Sequence, residues 1–274
     1  MDHIIVNGEI IKKQEIGFTP FCWDEPFVIK QKIWFGFGGI PLFHDNLENI
    51  KFVLNTLNSG IPDLLTDEKE LFRLTKRMLN KNRFFRSGII TCQIFIGTEI
   101  NTIISSFAFP DFDFPISKQG LIINFSEFEK FSGNPLSQFD FYNTPQWKFA
   151  VARIQETTFN NSIFLNEKGV VCDCISANIF MIKGKVLYSP SIETGCYVNT
   201  LRSHILDIAP KANLTVTETD EIKKEDILQM SEIFLASEEY GIQWILGVGN
   251  KRFVHHYSVK IHEQLNEYLK KIIK

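Results

Sequence analysis

The chain has 274 residues, 44% of them hydrophobic and 22% charged, with a formal net charge of −3. That length suits one large or two modest domains around a sizeable core. The mildly acidic balance gives no footing for a nucleic-acid or polyanion partner. The five cysteines, Cys22, Cys92, Cys172, Cys174 and Cys196, are odd in number and scattered. They read as reduced thiols in a cytoplasm. The first residues carry Asp2 and lack the apolar stretch of a signal peptide. No apolar run approaches the roughly twenty residues that span a bilayer. A cytoplasmic protein without a membrane partner is expected, and the sequons at Asn160 and Asn213 are then accidental.

In chain order, Ile4 to Val6 reads as a strand and Asn7-Gly8 as a tight turn. Phe27 to Phe37 and Pro41 to Phe43, broken by Gly38-Gly39, suggest a hairpin. Leu47, Ile50, Leu54 and Leu57 recur at helical spacing, and a second helix after Thr66 places Leu71, Leu74 and Met78 on one face. Ile89 to Ile96 and Thr102 to Phe109 form an antiparallel pair, giving a helix-on-sheet layer. Pro110 to Ile116 is the best linker candidate. A strand at Leu121 to Phe125 follows, then a helix from Pro145 to Thr158 with Pro in its first turn. Ser162 to Ile182 reads as three short strands, Leu201 to Ala209 as a helix, Leu214 to Thr217 as a strand and Ile222 to Met230 as a short helix. Ile233 to Ala236 and Ile242 to Val248 read as strands, and Tyr257 to Ile273 as a closing amphipathic helix.

Several stretches together carry a resemblance. They are Asn7-Gly8, Gly39-Ile40-Pro41-Leu42-Phe43, Phe164-Leu165-Asn166-Glu167-Lys168-Gly169, Ser176-Ala177-Asn178-Ile179-Phe180, Ser189-Pro190 and Gly195-Cys196 with Arg202. Glu232-Ile233-Phe234-Leu235 running into Gly241-Ile242-Gln243-Trp244 completes the set. In this order and spacing the chain resembles the fold-type IV pyridoxal-phosphate enzymes, among them branched-chain and D-amino-acid aminotransferases and 4-amino-4-deoxychorismate lyases. The resemblance implies a two-domain α/β (α+β) fold, the C-terminal domain built on a pseudo-barrel sheet. It implies a small domain over residues 1–112, a linker over 113–119 and a larger domain over 120–274. It also implies a homodimer with the cofactor held between domains.

The family chemistry needs a lysine, because only an amine forms the imine that links enzyme to aldehyde. Counting back from Ser162-Ile163-Phe164-Leu165, with Pro135, Ser137 and Asn143 in register, that position falls on Asp140, which cannot make an imine. Lys148, eight residues on, is the substitute if the register is shifted. The family's His-x-x-Arg helix start corresponds to Asn46-Leu47-Glu48-Asn49, so Asn49 stands for the arginine. Glu238, beside Glu239, stands where a hydroxyl usually meets the cofactor phosphate, and a carboxylate there is repulsive by about 1 kcal/mol or more. Asn199, Thr200 and Leu201 keep a helix N-terminus for the phosphate cup. Asp173 takes the place of the acid that pairs with the pyridine nitrogen. The loss of lysine, arginine and hydroxyl together implies a degenerate member that holds no pyridoxal phosphate, so no cofactor is expected.

Other features have a plain reading beside a sharper one. Cys172 and Cys174 are core hydrophobes or a metal or redox pair, and no second Cys or His pair has ligand spacing. No metal is expected. His255-His256 read as a solvated cap or a ligand pair, Trp147 as a core anchor or a pocket wall, and Arg202 as structural or ligand-binding. Asp140, Asp173 and Glu238 are a drifted site or a new cation- or amine-binding cleft. Three functions remain open: a repurposed binder of a small molecule at the interdomain cleft, a scaffold subunit for an active paralogue, or a working aminotransferase or lyase using a lysine such as Lys148 with pyridoxal phosphate.

Overall fold

The computed structural model of the protein describes residues 2–16 and 27–273. Cys22 lies outside the described residues. The chain divides into two compact units, residues 1–114 with 268–274, and residues 115–267. The boundary falls next to Phe114, within the proline-bracketed segment, and the last residues of the chain cluster with the first unit.

The first unit is a five-stranded antiparallel sheet with helices on one face. Its strands are β1 (His3–Val6), β2 (Glu9–Lys12), β3 (Phe27–Phe35), β4 (Ser87–Ile96) and β5 (Ile100–Phe109), in the order β2-β1-β5-β4-β3. Asn7 and Gly8 both take positive φ, 47° and 92°, as a two-residue hairpin requires, and Val6 faces Glu9 across it. The helices are α1 (Phe43–Thr56), α2 (Asp63–Thr66) and α3 (Glu68–Lys81). Leu47, Ile50 and Leu54 of α1 and Leu71 and Met78 of α3 are buried, as are Ile90, Cys92, Ile94 and Ile104 of the sheet. Alternation in the strands and a three-to-four spacing in the helices put these side chains in one core.

The expected hairpin of Phe27 to Phe37 with Pro41 to Phe43 is not formed. β3 instead pairs along its whole length with β4, from Phe27 opposite Ile96 to Phe35 opposite Gly88. With that edge satisfied, Gly36 and Gly39 close a tight turn on each other, N–H to carbonyl at 3.1 and 2.9 Å. Phe43 then opens α1.

The second unit is built on a nine-stranded mixed sheet that curls into a half-barrel. It comprises β6 (Leu121–Phe125), β7 (Asn161–Leu165), β8 (Val171–Cys174), β9 (Asn178–Lys183), β10 (Val186–Pro190), β11 (Thr215–Thr219), β12 (Glu232–Ser237), β13 (Gly241–Val248) and β14 (Lys251–Arg252). The order is β11-β10-β9-β12-β13-β6-β7-β8, with β14 on β13. Strands β7, β8, β9 and β12 are buried almost throughout, so their sequences lack the alternation of a strand with one solvated face. Ile123, Ile163, Val171, Ile179, Ile233 and Ile245 belong to the core that results. The helices are α4 (Asp140–Ile154), α5 (Thr200–Ile208) and α6 (His256–Ile272), the last five residues of α6 counting with the first unit.

Two expectations are corrected here. α4 begins at Asp140, five residues before Pro145. Lacking an N–H, the proline forfeits the backbone bond to the Phe141 carbonyl, and the helix nevertheless runs through it. The expected helix at Ile222 to Met230 is only a short 3-10 turn, Asp226–Gln229. The Asp226 carboxylate accepts the Lys223 N–H at 2.9 Å, which closes a local turn while Ile222, Ile227 and Met230 drop into the core. Among the described residues no helix is long and apolar enough to cross a membrane.

α6 is anchored by a carboxylate from the sheet. Glu232, fully buried on β12, accepts the N–H groups of Tyr257 and Ser258 at 2.8 and 2.6 Å. Those are donors that a helix start leaves unpaired, and the negative charge complements the helix dipole. Glu232→Ala is expected to lower unfolding stability by about 1–3 kcal/mol, read from the urea midpoint at unchanged slope.

Candidate functional site

Strand β8 carries Asp173 into the interior of the second unit, where it is 0% exposed. A carboxylate cannot stay ionised there alone, because desolvation costs several kcal/mol. Its partner is Lys130, from the loop after β6, whose side chain is 1% exposed and whose ammonium bonds Asp173 Oδ2. That loop is fixed by the Lys130 N–H donating to the Leu165 carbonyl at 2.8 Å. The same Oδ2 accepts the backbone N–H of Tyr197 at 2.6 Å. Burial pushes the Asp173 carboxyl up, against the pull of Lys130 and the Tyr197 N–H. Asp173 Oδ1 is buried with no hydrogen-bond partner.

Tyr197 is held by a relay of amides. The Asn178 side chain donates to the Tyr197 carbonyl, and Asn178 Oδ1 accepts the Asn199 N–H at 3.1 Å. Asn199 Nδ2 donates to the Ala236 carbonyl at 2.9 Å, while Asn199 Oδ1 caps α5 by accepting the Arg202 N–H at 3.0 Å. Thr200 and Leu201 open that helix. Two residues past Ala236 comes Glu238, which is buried. Asp140 opens α4 and accepts the Thr144 hydroxyl at 3.0 Å. Two turns further, Trp147 packs edge-on against the Tyr197 ring with centroids 4.9 Å apart. The Tyr197 phenol is pushed well up, first by burial and then by the charges of Asp140, Glu238, Asp173 and Glu239. In the second unit Asp173 bonds the Tyr197 backbone directly, and Asn199 is tied into the same network through Asn178.

The other expected positions lie elsewhere. Asn49 sits on α1 in the first unit, where its side chain donates to Gln31 Oε1 at 3.0 Å. Lys148 is exposed on α4. Arg202 is buried and braces two strands, donating to the Pro190 carbonyl and to Glu218, each at 2.6 Å. Cys172 is core, its thiol donating to the Thr194 carbonyl at 3.2 Å, and Cys174 is fully buried. His255 stacks on Trp244 with centroids 4.1 Å apart. Among the described residues no group of three or more His, Cys, Asp or Glu can hold a metal ion.

Sequence reasoning missed Lys130 and Tyr197. No local signal marks Lys130, because its partner is 43 residues away and no helical or strand period links the two.

The sequence profile described as "Amino-transferase class IV" matches residues 63–243, well over half of the chain. The chain belongs to the class IV aminotransferase family. It is 26% identical over 135 residues to a probable branched-chain-amino-acid aminotransferase of Rickettsia conorii, covering 47% of this chain and 45% of that protein. The match thus spans less than half the length of that curated relative. Among solved structures, a branched-chain aminotransferase from Thermoproteus uzoniensis, crystallised with norvaline, superposes with a TM-score of 0.85 at 17% identity, covering 98% of this chain and 95% of that one. The branched-chain amino acid aminotransferase of Thermobaculum terrenum in its PLP (holo) form gives 0.83 at 14%, covering 99% and 94%. At such identities the likeness speaks for the fold alone. That fold is the family's, so the expected half-barrel architecture is found.

The Lys130–Asp173 pair yields a stability prediction. Lys130→Met, which strands a buried carboxylate, is expected to cost about 3–5 kcal/mol in chemical denaturation. Lys130→Met with Asp173→Leu, which removes both charges, is expected to recover most of that loss.

Proposed function

We propose that this member of the class IV aminotransferase family has given up pyridoxal-phosphate-dependent catalysis and acts in the cytoplasm, as a homodimer, in small-molecule binding. The cofactor of the family is an aldehyde phosphate, and the residues of the second unit match its needs in part. Asp173, with one buried oxygen lacking a partner, suits a protonated ring nitrogen, and the α5 N-terminus suits a phosphate. The covalent and charge requirements are not met. Asp140 stands where the amine belongs. Lys130 is the lysine buried among the described residues, and its ammonium is bound to Asp173. Imine formation needs an amine free to reach an aldehyde, and this one is engaged by the Asp173 carboxylate. Glu238, buried just past the end of β12, would oppose a phosphate dianion beside it. No step is therefore derived through the cofactor.

The observation that carries the reading is Asp140 opening α4 with its carboxylate turned to Thr144, while Lys148 on the same helix is exposed. The purified chain, incubated with excess pyridoxal phosphate, is expected to show no visible absorbance band from a protein imine. Borohydride treatment is expected to leave no lysine adduct by peptide mass mapping. A stoichiometric adduct on one lysine, Lys130 and Lys148 included, would overturn the proposal.

A further inference from the structure

We propose that a groove on the second unit, sharing no residue with the Asp173 network, binds an apolar dipeptide through its two charged termini. The groove encloses about 740 Å³ between β13, the end of β14 and the first turns of α6. That is the size of a small-ligand site. Trp244 and Leu246 of β13, Phe253 after β14 and Val259 of α6 give it apolar walls, and His255 and His256 line it too. Lys260 and Glu263 of α6 supply one full charge of each sign.

The walls are fixed before any ligand arrives. The Trp244 indole N–H donates to the Ser117 carbonyl at 3.1 Å, and His255 stacks on the ring. Gly120 lies so close that a Cβ there would come within 2.2 Å of the ring. The start of α6 is held by the Glu232 carboxylate. A surface already ordered loses little entropy on binding.

The two charges select the class of ligand. Lys260 leans back over the Tyr257 ring, 5.8 Å from its centroid, and among the described residues neither Lys260 nor Glu263 forms an ion pair. Helix positions three apart start from Cβ atoms about 5–6 Å apart. A free amino acid spans at most about 3.5 Å of chain, whereas a dipeptide spans about 7 Å, so the dipeptide reaches both charges. Its ammonium meets Glu263, its carboxylate meets Lys260, and its side chains cover the apolar walls. A simple amine or carboxylate answers only one of the two. A metal ion does not fit, because among the described residues no three ligating side chains converge.

The test is calorimetric titration of the full chain at pH 7 with the dipeptide Leu-Phe. Its N-acetyl form lacks the ammonium, its amide lacks the carboxylate, Gly-Gly lacks the apolar side chains and free phenylalanine lacks the length. Saturable binding of Leu-Phe is expected, with each comparison compound at least about tenfold weaker. Glu263→Gln is expected to weaken Leu-Phe about tenfold and leave the N-acetyl form unchanged. Lys260→Met is expected to do the same for Leu-Phe and leave the amide unchanged. A purely structural role would not give that pairing of variant with compound. Thermal unfolding checks that both variants fold, and if either does not, the compound series on the parent chain decides. The proposal is overturned if Leu-Phe gives no saturable heat, if free phenylalanine binds as tightly, or if folded variants bind Leu-Phe as the parent does. A lysine adduct with pyridoxal phosphate would defeat the preceding proposal and leave this one standing.

Discussion

A carboxylate placed where water does not reach sets the terms for the interior of the second unit. Asp173 is fully buried, so its charge has to be met by the protein, and the answer comes from two distant segments. Lys130 arrives from 43 residues upstream and the Tyr197 N–H from 24 residues downstream. One ion pair thus fastens the loop after β6, strand β8 and the approach to α5. Once Tyr197 is pinned, the relay through Asn178 and Asn199 to Ala236 follows, and so does the surface that Trp147 packs against. Such pairs are weak sources of net stability, because desolvation offsets most of the attraction. Their force lies in specifying which loop sits where.

The fold and the chemistry of this family rest on different numbers of atoms. A half-barrel survives at 17% identity to a solved branched-chain aminotransferase because burial pattern, not residue identity, builds it. Ile, Val, Phe and Cys interchange inside β7, β8, β9 and β12 with little cost as long as volume is kept. An imine has no such tolerance. It needs one amine at one place, and an apolar or acidic side chain there cannot stand in for it. Drift that a core absorbs is therefore decisive at such a position.

The same division explains what the sequence made legible. Strands β4, β5 and β6 and the closing helix stand out because their apolar residues recur at strand or helix periods and turn residues bound them. The hairpin expected around Gly38-Gly39 fails because partner choice is non-local: β3 has a longer partner in β4, with Phe35 opposite Gly88 and Phe27 opposite Ile96, than in Pro41 to Phe43. The start of α4 was hidden by Pro145, which marks a first turn more often than a second. At the site, Asp140, Asp173 and Glu238 were found through the family resemblance, since a lone acid in a strand or at a helix start carries no signature of its own. Lys130 carried none at all. A loop lysine flanked by Glu129 and Phe131 reads as a solvated charge until the topology brings β8 beside it.

The acids bear on what these positions tolerate. In a site that bound a phosphate dianion, Glu238 in place of a hydroxyl would turn a donor into a repelling charge, at about 1 kcal/mol or more per contact. Asp140 in place of the amine would add a second. Under the proposed reading no anion has to be held there, so neither charge is penalised. The walls do not depend on that outcome, because the Lys130–Asp173 pair, the Tyr197 N–H and the asparagine relay fix the surrounding backbone by contacts within the protein itself.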